Sequence, residues 1–185
     1  MRRSEPPVAV PSAEEGEPWA VRLPGRFEDF YLQEYPQVVA LAYALSGSRA
    51  GAEDIAQEAF LRAYRDWDRV GSYEHQAAWV RRVAANLATS ALRRRLVEAR
   101  ALIRLTGRWE PAVDPLPTGD TEFWTAVRAL PSRQSQAVAL YYFQDLSVQQ
   151  TAAVLGCAEG TVKAHLAKAR QALARQLQPE PPGDR

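Results

Sequence analysis

Apolar positions along this chain recur at intervals of three and four, with no convincing stretch of alternation, so the pattern predicts helices and no strand. Phe27, Phe30, Tyr31, Val38, Leu41, Ala42 and Leu45 mark the apolar side of a first helix over 27–45, which Pro36 is expected to bend or divide. Ser46-Gly47-Ser48 is a break. A second, amphipathic helix runs from Ala52 to Trp67, with Ile55, Ala59, Phe60, Ala63, Tyr64 and Trp67 on one side. A loop follows over 70–74. A long helix then starts at Gln76 and runs to about Leu96, with Trp79, Val80, Val83, Ala84, Leu87 and Ala91 inside, and its pattern can be followed to Leu105.

Beyond Thr121 the pattern resumes. One helix spans 121–130, and Pro131 suits the first turn of the next, which runs to about Phe143. Ser147 and Gln150 stand at capping-box spacing ahead of an apolar face of Val148, Ala152 and Leu155. Gly156 can take the left-handed conformation that ends a helix in a sharp turn. A last helix then buries Val162, Leu166, Ala169 and Leu173 and shows Glu159, Thr161, Lys163, His165 and Lys168 on its outer side. A short helix, a glycine turn and a second helix with a basic outer face form the helix-turn-helix arrangement, whose second helix enters the major groove of DNA. An ordinary helical hairpin would share the cap and the turn; the basic outer face favours DNA.

Composition divides the chain further. Residues 1–25 are rich in Pro and Glu without periodicity and read as a flexible tail. Gly107, Pro111, Pro115, Pro117 and Gly119 mark a linker. The expectation is an all-α fold of two small helical domains: residues 26–96 and 121–178, a Pro/Gly-rich joint across 97–120, and a short tail at 179–185. No apolar stretch is long enough to span a membrane. Glu5, Pro6 and Pro7 follow Arg2 and Arg3 where a signal peptide would need apolar residues, so a cytoplasmic location is expected.

The formal net charge of +1 hides a segregation. Residues 26–70 carry a net −3, residues 71–108 a net +6, residues 109–125 a net −4 and residues 126–178 a net +4. Two basic blocks between acidic ones suggest two nucleic-acid contacts on one chain, with the first acidic block set against a protein.

The first basic block sits on the long helix. Its outer positions are Arg81, Arg82, Asn86, Ser90, Arg93, Arg94 and Arg95. Arginines on a helix face contact phosphates, and Asn can hydrogen-bond a base edge. Tyr73, in the loop ahead, can stack on an unpaired base. Alone, this cluster also reads as a solvated helix end whose arginines favour the helix dipole. A helix-turn-helix on the same chain tips the reading toward DNA.

Enzyme chemistry finds little support. His75, His165 and the single cysteine, Cys157, give no catalytic triad and no metal spacing. No glycine-rich phosphate loop is present, and no cofactor or metal is expected. His165 is expected to face DNA or solvent and His75 to sit at a helix start. Cys157 reads as a small buried apolar residue beside the turn rather than a redox sensor.

Four motifs carry a family resemblance: Ala-Glu-Asp-Ile-Ala-Gln-Glu-Ala-Phe-Leu-Arg-Ala-Tyr at 52–64, Ala-Trp-Val-Arg-Arg-Val-Ala-Ala-Asn at 78–86, Leu-Arg-Arg-Arg at 92–95, and Leu-Pro-Ser-Arg-Gln at 130–134 ahead of the helix-turn-helix. In order and spacing they resemble the extracytoplasmic-function (ECF) class of bacterial sigma factors, over residues 26–178. The resemblance implies that helix 52–67 docks on the β′ clamp helices of core RNA polymerase through Asp54, Gln57, Glu58 and Leu61. It implies that loop 71–75 and helix 76–95 open and read the −10 promoter element through Tyr73, Arg81, Arg82, Asn86, Ser90, Arg93 and Arg94. Extruding a base from the stack costs a few kcal/mol, so a nearby aromatic has a physical use. Residues 121–178 resemble region 4, which reads the −35 element, here through Glu159, Thr161, Lys163, His165, Lys168 and Arg170, and touches the polymerase β-flap. An anti-sigma factor is a further candidate partner.

Ala158 departs from the family, which often has a capping Ser there; Ser90 lies near a common family Asp; and loop 71–75 is not a typical member's loop. The competing reading is a free-standing helix-turn-helix regulator that binds duplex DNA without polymerase. Such a regulator has no use for the 52–67 motif.

Overall fold

The computed structural model describes residues 26–106 and 121–177. The tails expected at 1–25 and 179–185, and the Pro/Gly-rich part of the joint at 107–120, lie outside the described residues. Among the described residues eight α-helices follow in order: α1 (Phe27–Ser46), α2 (Arg49–Arg65), α3 (Trp67–Val70), α4 (Gln76–Thr106), α5 (Thr121–Ala129), α6 (Ser132–Val138), α7 (Val148–Leu155) and α8 (Glu159–Gln176). No strand occurs among the described residues.

In the first bundle, α1, α2 and α4 pack on one another. Pro36 does not divide α1, which is assigned as one helix from Phe27 to Ser46. The carbonyl that Pro36 leaves without its helical partner belongs to Leu32, which is 72% exposed, where water can satisfy it. Gly47, at φ 69°, ends α1, and its N–H donates to the Tyr43 carbonyl at 2.8 Å. Helix α2 starts three residues earlier than its apolar pattern suggests, because Ser48 caps it by accepting from the Gly51 N–H at 3.2 Å.

The core joins Val38, Leu41 and Leu45 to Ile55, Ala59, Phe60, Val80, Ala84, Ala85 and Ala88. Phe60 is 2% exposed, and burying a side chain of that size contributes about 2–3 kcal/mol. The seam of α4 is rotated from the expected one. Ala85 and Ala88 are fully buried, while Trp79, Val83, Leu87 and Ala91 are half-buried. Alanines at the seam let the helices approach closely. Tyr64 departs from the sequence expectation: it is 60% exposed, its ring 5.0 Å from that of Phe27 at the edge of the bundle.

In the second bundle, Trp124, Val127, Val138, Leu140, Val154, Leu155, Val162 and Leu166 form the core. Of the helix expected from Pro131 to Phe143, Pro131 is the N-cap and residues 132–143 are helical, the last turn, Ala139–Phe143, widening to π geometry. Gln144 N–H then donates to the Ala139 carbonyl and Leu146 N–H to the Leu140 carbonyl. Asp145, at φ 52°, turns the chain into α7; a short polar side chain tolerates that conformation better than most. The two bundles share one continuous buried cluster, with α4 against α7 and α1 against α5 and the π turn.

Candidate nucleic-acid and polymerase interfaces

The helix-turn-helix is built by local chemistry. Ser147 Oγ accepts from the Gln150 N–H at 3.1 Å, and Gln150 Oε1 accepts from the Ser147 N–H at 2.8 Å, so the capping box is closed in both directions. Gly156 sits at φ 66°, and its N–H donates to the Ala152 carbonyl at 2.8 Å. Val162, Leu166, Ala169 and Leu173 anchor α8 in the core. Glu159, Thr161, Lys163, Lys168 and Arg170 are exposed, and His165 is half-buried. Ala158 supplies no side-chain cap, and its carbonyl accepts from the Thr161 and Val162 N–H groups at 2.9 and 3.2 Å. Cys157, half-buried, is a free thiol beside the turn.

On α2, Asp54, Gln57, Glu58 and Leu61 line one shallow concavity. Glu58 pairs with Arg62 at 2.7 Å, an exposed i,i+4 pair that stabilises the helix by a few tenths of a kcal/mol. A neighbouring apolar concavity shares Gln57 and Leu61 and adds Phe27, Tyr31, Phe60 and Tyr64. Burial, and then the neighbouring Tyr35, hold the Tyr31 hydroxyl above its ordinary pKa, so it remains neutral in water. The sequence reading missed this aromatic rim because it assigned Phe27, Tyr31 and Tyr64 to the interior.

The outer side of α4 differs from the free basic face expected from its sequence. Arg81 lies 2.7 Å from Glu34, with both side chains largely buried at 16% and 12% exposure. The contact is ionic in distance but poorly aligned, since Glu34 Oε2 and Arg81 Nε have no hydrogen-bond partner. Arg82 Nε donates to the Val154 carbonyl at 2.6 Å and its Nη2 to the Ala153 carbonyl at 3.0 Å. Asn86, although exposed, accepts at Oδ1 from Gln136 Nε2 at 3.1 Å. Arg93 donates to Ser132 Oγ at 3.0 Å, and Arg95 donates to the Ser46 carbonyl. Tyr73, Ser90 and Arg94 are exposed. The reason for the difference is tertiary: α1 engages Arg81 and Arg95, and the second bundle engages Arg82, Asn86 and Arg93.

Three residues that the motifs did not flag complete the arrangement. Glu34 faces Arg81 across a cleft of about 490 Å³ between the bundles, which His75, Gln76 and Gln150 also line. Gln136, 2% exposed, gives its side-chain amide to the Ala85 carbonyl, Asn86 Oδ1 and Thr89 Oγ1. Arg128 donates to the Ala44 carbonyl at 3.3 Å, and burial lowers its pKa from the ordinary arginine value. The one available signal was Gln136, a polar residue directly before the apolar run Ala137-Val138-Ala139-Leu140.

Among the described residues, no group of three or more His, Cys, Asp or Glu side chains could hold a metal ion, and no helix is long and apolar enough to cross a membrane.

Comparison with known proteins places the chain in a family. Residues 30–96 match Sigma-70 region 2, and residues 120–173 match Sigma-70, region 4. The ECF RNA polymerase sigma factor SigM of Mycobacterium tuberculosis is 33% identical over 162 residues, covering 82% of this chain and 76% of the relative. The ECF sigma factor EcfG of Rhodopseudomonas palustris is 31% identical, covering 84% of this chain and 87% of its own. The structure of the sigma factor RpoE in complex with the anti-sigma factor NepR from Bartonella quintana superposes with a TM-score of 0.62 at 28% identity, covering 84% of this chain and 98% of that one. The chain belongs to the ECF family of sigma-70 factors and is an alternative sigma factor that directs promoter recognition by RNA polymerase.

Proposed function

We propose that the two bundles divide the work as follows. Residues 26–96 dock on the β′ clamp helices of core polymerase through Asp54, Gln57, Glu58 and Leu61, with the rim of Phe27, Tyr31 and Tyr64 adding apolar contact. The same bundle reads the −10 element along α4, with Tyr73 stacking on an unpaired base, Asn86 meeting a base edge, and Arg81, Arg82, Ser90, Arg93 and Arg94 holding the strand. Residues 97–120 link it to residues 121–178, which present α8 to the −35 major groove and touch the β-flap. Lys163 reads bases there, and Lys168 and Arg170 hold phosphates. The chain works as a binding subunit without catalytic residues or cofactor, in the cytoplasm with the polymerase. An anti-sigma factor is a further expected partner, since a related sigma factor is solved with one.

The observation that carries this reading is the α2 concavity. Four residues assigned to polymerase docking from their motif line one surface hollow, and a free-standing regulator has no use for it. Incubation with core polymerase tests the reading: the chain should co-elute with core and support run-off transcription from its promoter. Duplex binding without co-elution would return the chain to the free-standing class.

A further inference from the structure

Helix α4 does not end with the first bundle. The match to Sigma-70 region 2 stops at residue 96 and the match to region 4 starts at residue 120, yet α4 continues without a break to Thr106. Residues 97–106, expected in the joint, are therefore helical. At about 1.5 Å per residue they carry the helix about 15 Å past the matched segment.

The two sides of this extension differ. Arg95 and Ala99 share the inner side, where Arg95 donates to the Ser46 carbonyl of α1 and Ala99 is 4% exposed. On the outer side Arg94, Arg100 and Arg104 fall within about a third of the helix circumference, and all three are exposed. Val97 and Ala101, exposed as well, lie between them. Among the described residues no carboxylate pairs with any of the three guanidiniums. Glu98, the one acid in 93–106, stands at the edge of this side. The helix dipole accounts for Arg104 alone, because its effect falls off within the last turn and only Arg104 is there. The direction of α4 says what the row can meet. Tyr73, assigned to an unpaired base, stands ahead of its first turn, and the chain leaves its far end for the bundle assigned to the −35 element. Along α4 the order runs from opened strand to the duplex between the two elements. A duplex rises about 3.4 Å per pair, so the extension spans about four base pairs.

We propose that Arg100 and Arg104 continue the row begun by Arg94 as a further DNA contact, holding phosphates of the spacer duplex directly upstream of the −10 element. The contact reads no bases. Guanidiniums on phosphates fix register and release counterions without sequence preference. The proposal rests on the assignment of α4 to the −10 element.

The test uses holoenzyme reconstituted with core polymerase and a promoter that it transcribes. Arg100→Gln combined with Arg104→Gln removes both charges and keeps good helix formers, and circular dichroism checks the fold. The double variant should bind core like wild type and bind the promoter about three- to tenfold more weakly. It should also lose about 1–2 from the slope of log affinity against log salt. Exchanging the spacer sequence should leave that loss unchanged. Neutral methylphosphonates in place of the spacer phosphates next to the −10 element should weaken wild type by a similar factor and leave the double variant unmoved. Arg100→Lys with Arg104→Lys should keep most of the wild-type slope. Unchanged affinity and slope in the double variant would reduce the row to a solvated helix face and overturn the proposal. Weakened core binding with methylphosphonate sensitivity intact would give the row to polymerase and overturn it too. Impaired promoter opening by Asn86→Ala with no methylphosphonate effect would overturn the spacer contact and leave the α4 assignment standing. Normal opening by Asn86→Ala with no methylphosphonate effect would overturn both.

Discussion

Arg82 Nε lies 2.6 Å from the carbonyl oxygen of Val154, so an arginine of the first bundle caps the end of a helix in the second. The two residues are 72 positions apart in sequence, and the turn glycine between α7 and α8 makes their meeting possible. Gly156 serves two purposes, a left-handed turn and an open seat for the guanidinium.

That double role predicts a contrast between two glycines. Gly156→Ala meets both a positive φ and the Arg82 side chain and should cost about 1–3 kcal/mol of stability. Gly160→Ala meets nothing within 4 Å, lies inside α8, and should be neutral or stabilising by up to about 1 kcal/mol. Urea unfolding of the two variants measures both. Equal effects would mean that neither the turn nor the Arg82 seat matters.

Thr151 is 0% exposed, and its Oγ1 has no hydrogen-bond partner among the described residues. Thr151→Val keeps the shape and removes the orphaned hydroxyl. It should stabilise the fold by about 1–2 kcal/mol, raising the urea midpoint without changing the slope. A loss of stability would show that the hydroxyl is satisfied in solution.

The local devices of the helix-turn-helix were legible in the sequence because they depend on residues close together. Ser147 and Gln150 form the capping box they spell, Gly156 takes the turn, and Val162, Leu166, Ala169 and Leu173 are buried. The errors came where neighbours decide. Pro36 is tolerated because its freed carbonyl is at an exposed position. Tyr64 has the spacing of a core residue but sits at the bundle edge. Residues on the outer side of α4 were identified as exposed, yet Arg81, Arg82 and Arg93 meet Glu34, Val154 and Ser132, partners 39 to 72 residues away for the last two. No periodicity encodes such a meeting.

On α8, Lys163→Ala should weaken −35 binding by about 1–3 kcal/mol and alter the preferred sequence, because Lys163 lies exposed one turn into the helix. Lys168→Ala or Arg170→Ala should weaken every sequence alike and reduce the salt slope. Competition binding across −35 variants distinguishes the roles. A uniform loss for Lys163→Ala would reassign it to phosphate.

On α2, Asp54→Ala combined with Gln57→Ala should reduce affinity for core polymerase while leaving the helical spectrum intact. Both residues are exposed, and neither is needed by the core of the bundle. Normal core binding by the folded double variant would make this only a solvated helix face.

The central claim is that α4 engages the −10 strand when the promoter opens, and Asn86 tests it most directly. Asn86 carries no charge, so its loss cannot act through long-range attraction, and the buried Gln136 amide that it accepts from keeps the Ala85 carbonyl and Thr89 Oγ1 as acceptors. The measurement is permanganate footprinting of unpaired thymines in duplex promoter with saturating core polymerase. Asn86→Ala should bind core and the −35 element normally yet expose fewer reactive thymines, and a pre-melted bubble template should restore part of the deficit. Wild-type reactivity on the duplex would contradict the claim and leave the arginines of α4 as simple phosphate contacts.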